Sequence, residues 1–205
     1  MAARSRPPEA AAISRPYAPE RFEYRIWGRG FAELPTPDEV APSVEVYLLA
    51  DRDGVNAKLR GGALEIKRLL GTRDGLQRWL PALRCLLPLP ARVIARDLCP
   101  ALGLMPPPLT RRRYGLEELL AEVVPALAGV RAVRLGKRRR QFDVAGARAE
   151  RTRVEVGAVT LESVAVEHER FGRAARAAEQ LELRRAANLD YVVALRRLLA
   201  GDVEV

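Results

Sequence analysis

Alternating apolar and polar positions predict strands in the first third of the chain. From Phe22 to Ile26 every second residue is apolar and the residues between them are Glu or Arg, which is typical of a strand with one buried face. The alternation returns at 44–49, 55–60 and 64–69. Asp-Gly and Gly-Gly pairs, which favour tight turns, separate the last three segments. We therefore expect four strands joined by short turns.

The middle of the chain has the spacing of helices. Four leucines from Leu76 onward recur three or four residues apart, which predicts an amphipathic helix over 74–87 with an aspartate at its N-cap. Further helical segments are predicted at 91–98 and 116–127, on either side of a proline-rich connector. Together these segments form a predicted helical insert over about 72–128.

Strand-like alternation resumes after this insert. It covers 130–141, 148–156 and 159–169. An apolar stripe at helical spacing then predicts a C-terminal helix over about 173–200.

The order of these segments predicts an α+β fold. The strands lack the long crossover connections that a parallel sheet requires. We expect an antiparallel β-tunnel or barrel with a helical insert and a C-terminal helix, in one domain over 20–205. Residues 1–19 combine Arg, Pro and small residues without periodicity, so we expect a disordered N-terminal tail.

Composition favours an anionic partner. The chain of 205 residues carries 35 Lys and Arg against 26 Asp and Glu, a formal charge of +9, while 48% apolar residues supply a core. No apolar stretch is long enough for a membrane span and no signal sequence is present, so a cytoplasmic protein without a membrane partner is expected. His168 is the only histidine, which excludes a zinc site built from Cys and His.

The polar faces of the predicted strands are unusual because they hold cations mixed with a few carboxylates. All three lysines of the chain lie on them. The sets that share a face are Arg21, Glu23 and Arg25; Asn56, Lys58 and Arg60; Glu65 and Lys67; Lys137, Arg139 and Gln141; and Glu167 and Glu169. If these faces point into a closed barrel, the interior is cationic and requires an anion. The alternative is an open sheet whose polar face is solvated.

Several short motifs appear in an order similar to that of the CYTH superfamily, the triphosphate tunnel metalloenzymes. The resemblance covers about residues 20–200. It rests on Arg21-Phe-Glu-Tyr-Arg25, Lys58-Leu-Arg60, Glu65-Ile-Lys67, Lys137-x-Arg139-x-x-Phe142, Ser163-Val-Ala-Val-Glu167 and Asn188-Leu-Asp-Tyr191. It implies an antiparallel eight-stranded tunnel in which Arg and Lys bind a triphosphate and carboxylates bind a divalent metal.

The resemblance also implies roles for individual residues. Glu23, Lys67 and Arg139 are expected to be catalytic. The expected substrate-binding residues are Arg21, Arg25, Lys58, Arg60, Lys67, Lys137 and Arg139. The expected ligands of Mg²⁺ or Mn²⁺ are Glu23, Glu65, Glu167 and Glu169.

Two positions depart from the family pattern, and both departures remove negative charge. Arg21 stands where the family's opening E-x-E-x-K motif has its first Glu, and Ala165 stands where a later E-x-E pair has one of its carboxylates. Because Mg²⁺ binds through carboxylates together with water and substrate oxygens, the loss of two carboxylates makes a two-metal site doubtful.

Three functions are therefore compatible with the sequence. The first is metal-dependent hydrolysis of a triphosphate, either inorganic tripolyphosphate or an organic or nucleoside triphosphate. The second is a non-catalytic module that binds a polyphosphate or a nucleotide. The third and least favoured is a nucleic-acid-binding protein that uses the arginine runs at 111–113 and 138–140. The sequence leaves the oligomeric state open.

Overall fold

The structure, a computed structural model, describes residues 16–29, 31 and 38–202. Its strands are β1 (Arg21–Gly28), β2 (Asp38–Leu49), β3 (Val55–Arg60), β4 (Ala63–Arg73), β5 (Leu76–Leu86), β6 (Leu89–Pro90), β7 (Arg113–Tyr114), β8 (Arg131–Val144), β9 (Ala147–Val156) and β10 (Val159–His168). Its α-helices are α1 (Ala91–Val93), α2 (Cys99–Ala101), α3 (Leu116–Glu118), α4 (Phe171–Gln180) and α5 (Tyr191–Leu199).

Eight strands close an antiparallel barrel, which confirms the predicted fold class. Their order around the barrel is β1-β10-β9-β8-β2-β3-β4-β5, while β6 and β7 form a separate two-stranded sheet. Most neighbours in the barrel are consecutive in sequence and joined by tight turns. Closure depends on three pairings between distant segments, β1 with β10, β1 with β5 and β2 with β8.

The prediction of a helix over 74–87 is wrong, because this segment forms β5. Asp74 and Gly75 both have positive φ angles, 46° and 78°, as the central residues of a type I′ hairpin turn require. Asp74 therefore turns the chain back from β4 and does not cap a helix. Pro81, in the middle of the segment, is also poorly tolerated inside a helix. Two register shifts between β4 and β5 interrupt the strict alternation, which explains why the leucine spacing resembled that of a helix.

The helical insert is consequently shorter than predicted. A helical stretch runs from α1 through a π-helical turn, Ile94–Leu98, to α2. A second stretch begins with α3 and continues through Leu119–Val123 and Val124–Ala126. Both stretches pack their leucines against the apolar outer faces of the neighbouring strands in one core cluster, which includes Leu59 and Ile66. These helices cover the outside of the barrel.

The predicted C-terminal helix is two helices. The chain leaves α4 at Glu182, whose φ of 53° lies in the left-handed region. The second helix, α5, begins after Asp190. The Oδ1 atom of Asp190 accepts hydrogen bonds from the backbone N–H groups of Val192 and Val193 and so caps the helix. The ring of Tyr191 and the side chain of Leu195 pack in a core cluster with inward residues of the barrel strands. Helix α5 therefore fills one end of the barrel.

Most of the predicted N-terminal tail, residues 1–15, lies outside the described residues. Tyr17 belongs to the described part, and its backbone N–H donates to the carbonyl oxygen of Pro81 at 3.1 Å, next to the barrel. Within residues 16–29, 31 and 38–202, no helix has the length and apolar composition needed to cross a membrane.

Candidate functional site

The polar faces of the strands line one central cavity of about 290 Å³ inside the barrel. All three lysines reach it, so the polar faces turn inward and the alternative of an open sheet with a solvated polar face is wrong. Eight Lys and Arg side chains and five Asp and Glu side chains line it, an excess of three formal positive charges. The cations are Arg21, Arg25, Lys58, Arg60, Lys67, Lys137, Arg139 and Arg148, and the anions are Glu23, Glu45, Glu150, Glu167 and Asp190.

One side of the cavity, formed by β2, β3 and β8, gathers four cations around a single carboxylate. The Oε2 atom of the fully buried Glu45 lies 2.9 Å from Lys137 Nζ and 3.2 Å from Lys58 Nζ. Its Oε1 atom lies 3.3 Å from Arg139 Nη2 and 3.9 Å from Arg60 Nη1. We call these five residues the cationic wall. Arg60 also pairs with Glu65, its Nη2 lying 3.0 Å from Glu65 Oε2, so Lys58, Lys137 and Arg139 share Glu45 as their one close carboxylate.

Burial perturbs the pKa values of the lysines of the cationic wall. Burial, reinforced by the ammonium group of Lys137, lowers the pKa of Lys58 to about 7. Burial also lowers the pKa of Lys137 to about 7, although Glu45 opposes the shift. Burial raises the pKa of Glu45, but Lys58 and Lys137 outweigh it, so the net value is well below the usual one. The wall is thus poised to accept another anion, which would stabilise both ammonium groups.

Rings of two tyrosines support the cationic wall. Lys137 Nζ donates to Tyr47 Oη at 2.9 Å and lies 3.4 Å from the centre of the Tyr191 ring. The Tyr191 ring also lies 4.6 Å from the guanidinium carbon of Arg25. Such cation–π contacts stabilise buried positive charge without adding a competing negative one. The tyrosines therefore hold the cations in place and leave their charge available.

The opposite side, formed by β1, β9 and β10, alternates positive and negative side chains. Arg25 Nε donates to Glu23 Oε1 at 2.9 Å, and Arg25 Nη2 lies 3.9 Å from Glu150 Oε1. Glu167 Oε1 lies 2.9 Å from Arg21 Nη1 and 3.6 Å from Arg148 Nη1. We call these six residues the mixed wall. Its three arginines balance its three glutamates.

The carboxylates of the mixed wall that lie deepest are held in their charged form. Burial raises the pKa of Glu23, but Arg25 and Lys67 outweigh it and the net shift is downward. Burial likewise opposes ionisation of Glu150, yet Arg25 and hydrogen bonds from Thr152 and Gln141 lower its pKa to about 2. Both groups therefore stay negatively charged at neutral pH beside Arg25.

Most of the predicted site residues meet in the cavity. The seven predicted substrate-binding residues line it, and so do the predicted metal ligands Glu23 and Glu167. Glu65 does not line it; this buried carboxylate pairs with Arg60 and Arg84. Glu169 lies beyond the end of β10 and is exposed outside the cavity.

The sequence analysis missed Glu45, Arg148 and Glu150 as members of the site. Glu45 shares the inward phase of β2 with Tyr47, so the alternation contained its position. The sequence gives no cation-rich signal there, because β2 has no Lys or Arg and contributes Glu45 and Tyr47 to the lining of the cavity. Arg148 and Glu150 share the inward face of β9, which likewise lacks a cation-rich pattern.

The carboxylates that would bind Mg²⁺ or Mn²⁺ do not fit that role. Glu23, Glu65 and Glu167 each form an ion pair with an arginine. Glu169 lies outside the cavity. Within the described ranges, no three Asp, Glu, His or Cys side chains are grouped so that they could hold a metal ion. A carboxylate already bonded to a guanidinium would have to lose that partner to bind a metal at the short distances that Mg²⁺ requires.

Arg139, a member of the cationic wall, has an unused hydrogen-bond donor. Its buried Nε atom has no hydrogen-bond partner among the residues that the structure describes. A buried N–H group without an acceptor is destabilising, and an anion in the cavity would supply one.

Comparisons with known proteins add a likeness in fold. No family model and no curated protein sequence matches the chain. A candidate adenylyl cyclase from Hippeastrum with a dominant triphosphatase activity is similar in structure, with 11% identity, a TM-score of 0.43, and coverage of 91% of this chain and 97% of that chain. A candidate adenylate cyclase from Bacillus halodurans is similar with 6% identity, a TM-score of 0.45, and coverage of 85% and 97%. At these TM-scores, neither likeness assigns an activity to this chain.

Proposed function

We propose that the protein is a divergent member of the CYTH superfamily that binds a triphosphate group in its central cavity. The observation that carries the proposal is the cationic wall, where four buried or half-buried cations share one carboxylate. Lys58, Lys137 and the two arginines would donate charge-assisted hydrogen bonds to phosphate oxygens. Their shared orientation into one cavity favours a linear chain of phosphates over a single ion.

The proposal concerns binding, because the metal-dependent hydrolysis that the resemblance implies needs a metal site for which the described carboxylates are unsuited. The chemistry of the donor groups does not choose between inorganic tripolyphosphate and an organic triphosphate. Both present the same oxygens to the cationic wall.

Calorimetric titration of the full chain with tripolyphosphate, ATP, thiamine triphosphate, pyrophosphate and orthophosphate tests the proposal. We expect affinity to fall from triphosphates to pyrophosphate to orthophosphate, as the number of phosphate charges decreases. The assay includes a long duplex DNA and a measurement of phosphate release with added Mg²⁺. Phosphate release would extend the proposal to catalysis, whereas tight binding of DNA alone, with a steep dependence on salt, would favour nucleic acid as the partner.

Replacing a lysine of the cationic wall gives the sharpest variant. Lys137→Met keeps the length of the side chain and removes its charge, and we expect it to weaken tripolyphosphate binding about 10- to 100-fold. The variant should fold, because burial already disfavours the charged form of this lysine. Arg134→Met is the matched control, since Arg134 lies exposed on the same strand and does not line the cavity. Equal affinities of the two variants for tripolyphosphate would contradict the proposal.

A further inference from the structure

Each carboxylate of the mixed wall is paired with a guanidinium group. Glu23 and Glu150 flank Arg25, which is buried and also donates from Nη1 to Ser163 Oγ at 2.9 Å. Arg21 and Arg148 both approach Glu167 Oε1. The negative charge on this side of the cavity is therefore balanced by side chains of the protein itself.

The two arginines beside Glu167 have free capacity toward the cavity. Their side chains are 36% and 48% exposed, and both line the cavity. A guanidinium carries five N–H donors in a rigid planar arrangement, and each of these arginines uses one nitrogen on Glu167. The other donors remain for an anion on the opposite side of the group.

A guanidinium in this position has the geometry to bridge two anions. It bonds a carboxylate with one edge and phosphate oxygens with another, so that two negatively charged groups lie on either side of one positive charge. A divalent cation between a carboxylate and a phosphate performs the same bridging. A metal ion at the mixed wall would, in addition, meet three carboxylates whose charge three guanidinium groups already neutralise.

We infer that the arginines of the mixed wall take the place of a divalent cation, so that this cavity binds its triphosphate without metal. Arg21 and Arg148 bridge Glu167 to the phosphate oxygens, and Arg25 neutralises Glu23 and Glu150 behind them. This inference rests on the proposed function and adds the way in which the ligand is held.

Titration of the full chain with tripolyphosphate, in chelator and in excess Mg²⁺, tests the inference directly. We expect binding in chelator and no tightening by Mg²⁺, because Mg²⁺ neutralises the ligand without gaining a site on the protein. Electron paramagnetic resonance of added Mn²⁺ gives a readout that does not depend on turnover. We expect the Mn²⁺ signal to report the ion free or bound to tripolyphosphate, and not bound to the protein.

Charge reversal at Arg21 should make triphosphate binding depend on Mg²⁺. Arg21→Glu places a second carboxylate beside Glu167 and removes one bridging guanidinium. We expect binding in chelator to weaken about 10- to 100-fold and Mg²⁺ to restore part of the loss. Arg21→Gln should show the loss without the restoration by Mg²⁺. Arg134→Glu, a charge reversal on the exposed outer face of β8, should change neither quantity by a comparable amount.

The outcomes separate this inference from the proposed function. Binding of tripolyphosphate only in the presence of Mg²⁺, or a Mn²⁺ signal characteristic of a protein site in the unmodified chain, would overturn the inference and leave the proposed function standing. Absence of binding in both conditions, by protein whose circular dichroism shows it folded, would overturn both. If Arg21→Glu bound tripolyphosphate in chelator as well as the unmodified chain does, the bridging role of Arg21 would be wrong.

Discussion

The cationic wall and the mixed wall line the same cavity with similar residue types, yet they differ in charge balance. On the cationic wall four cations share Glu45, while on the mixed wall three arginines face three glutamates. A balanced set of ion pairs satisfies itself, whereas an unbalanced one requires a counterion. Under the proposed function, the difference predicts that the phosphates bind at the cationic wall and that the arginines of the mixed wall orient them.

Removing the lone carboxylate of the cationic wall should have the largest effect. Glu45→Gln leaves Lys58, Lys137 and Arg139 without their carboxylate partner, while Arg60 keeps Glu65, and we expect the free energy of unfolding to fall by about 3–5 kcal/mol. Urea denaturation measures the loss. Tripolyphosphate should stabilise this variant more than it stabilises the unmodified chain, because the ligand then supplies the missing negative charge. A variant as stable as the unmodified chain would show that these cations do not depend on Glu45.

Neutralising a carboxylate of the mixed wall should reduce the free energy of unfolding much less. Glu167 is about a quarter exposed, so Glu167→Gln should lower the free energy of unfolding by less than about 1 kcal/mol. It frees Arg21 and Arg148 from their carboxylate partner, and tripolyphosphate should still bind in chelator. A loss of stability as large as that of Glu45→Gln would remove the distinction between the two walls.

Ligand binding should depend on pH through the cationic wall. Lys58 and Lys137 have pKa values lowered to about 7 in the free protein, and a bound polyanion raises them again. Above about pH 7, binding therefore takes up protons, and the affinity for tripolyphosphate should decrease as the pH rises. Calorimetry in buffers with different ionisation enthalpies measures the proton uptake. Lys137→Met should take up fewer protons, and an uptake equal to that of the unmodified chain would contradict this assignment.

Stability in acid should depend on both walls. The pKa values of Glu23, Glu45 and Glu150 are lower in the folded protein than the ordinary value of 4.5, so the folded state binds fewer protons than the unfolded one. Their stabilisation is present in full above about pH 4.5 and is lost as the pH falls toward about 2. Chemical denaturation across this range measures the loss, and Glu150→Gln should give a shallower decline than the unmodified chain.

The smallest effect is expected outside both walls. Glu169 lies exposed beyond β10 and does not line the cavity, so Glu169→Gln should leave tripolyphosphate affinity and the Mn²⁺ signal unchanged. A loss of affinity similar to that of Lys137→Met would mean that the cavity extends past the end of this strand.

The sequence predicted which residues of most strands share a face, but it misassigned one strand as a helix. The alternation at 55–60 placed Asn56, Lys58 and Arg60 on one face, and the structure confirms it. The segment at 76–86 was misassigned because two register shifts in its pairing with β4 broke the alternation. Register shifts depend on the partner strand, which local periodicity does not describe.

The sequence predicted the cations of the site except Arg148, but it missed several of its anions. Lys58 and Lys137 were identified because lysine is rare in this arginine-rich chain. Glu45 has no such signal, since its importance comes from the four cations that converge on it from β3 and β8. The pairing of Glu167 with Arg21 and Arg148 likewise joins three different strands.

The sequence by itself determined the class of fold, the residues that share the cationic faces and the excess of positive charge, because alternation and composition are properties of neighbouring residues. Closure of the barrel turned those faces inward. Only the tertiary structure decided which charges meet. Lys137 bonds Glu45 across 92 positions of the chain, and this contact exists because β2 pairs with β8 when the barrel closes. Closure sets the distances between charges on different strands, and those distances determine whether a carboxylate is neutralised by arginine or left to share four cations.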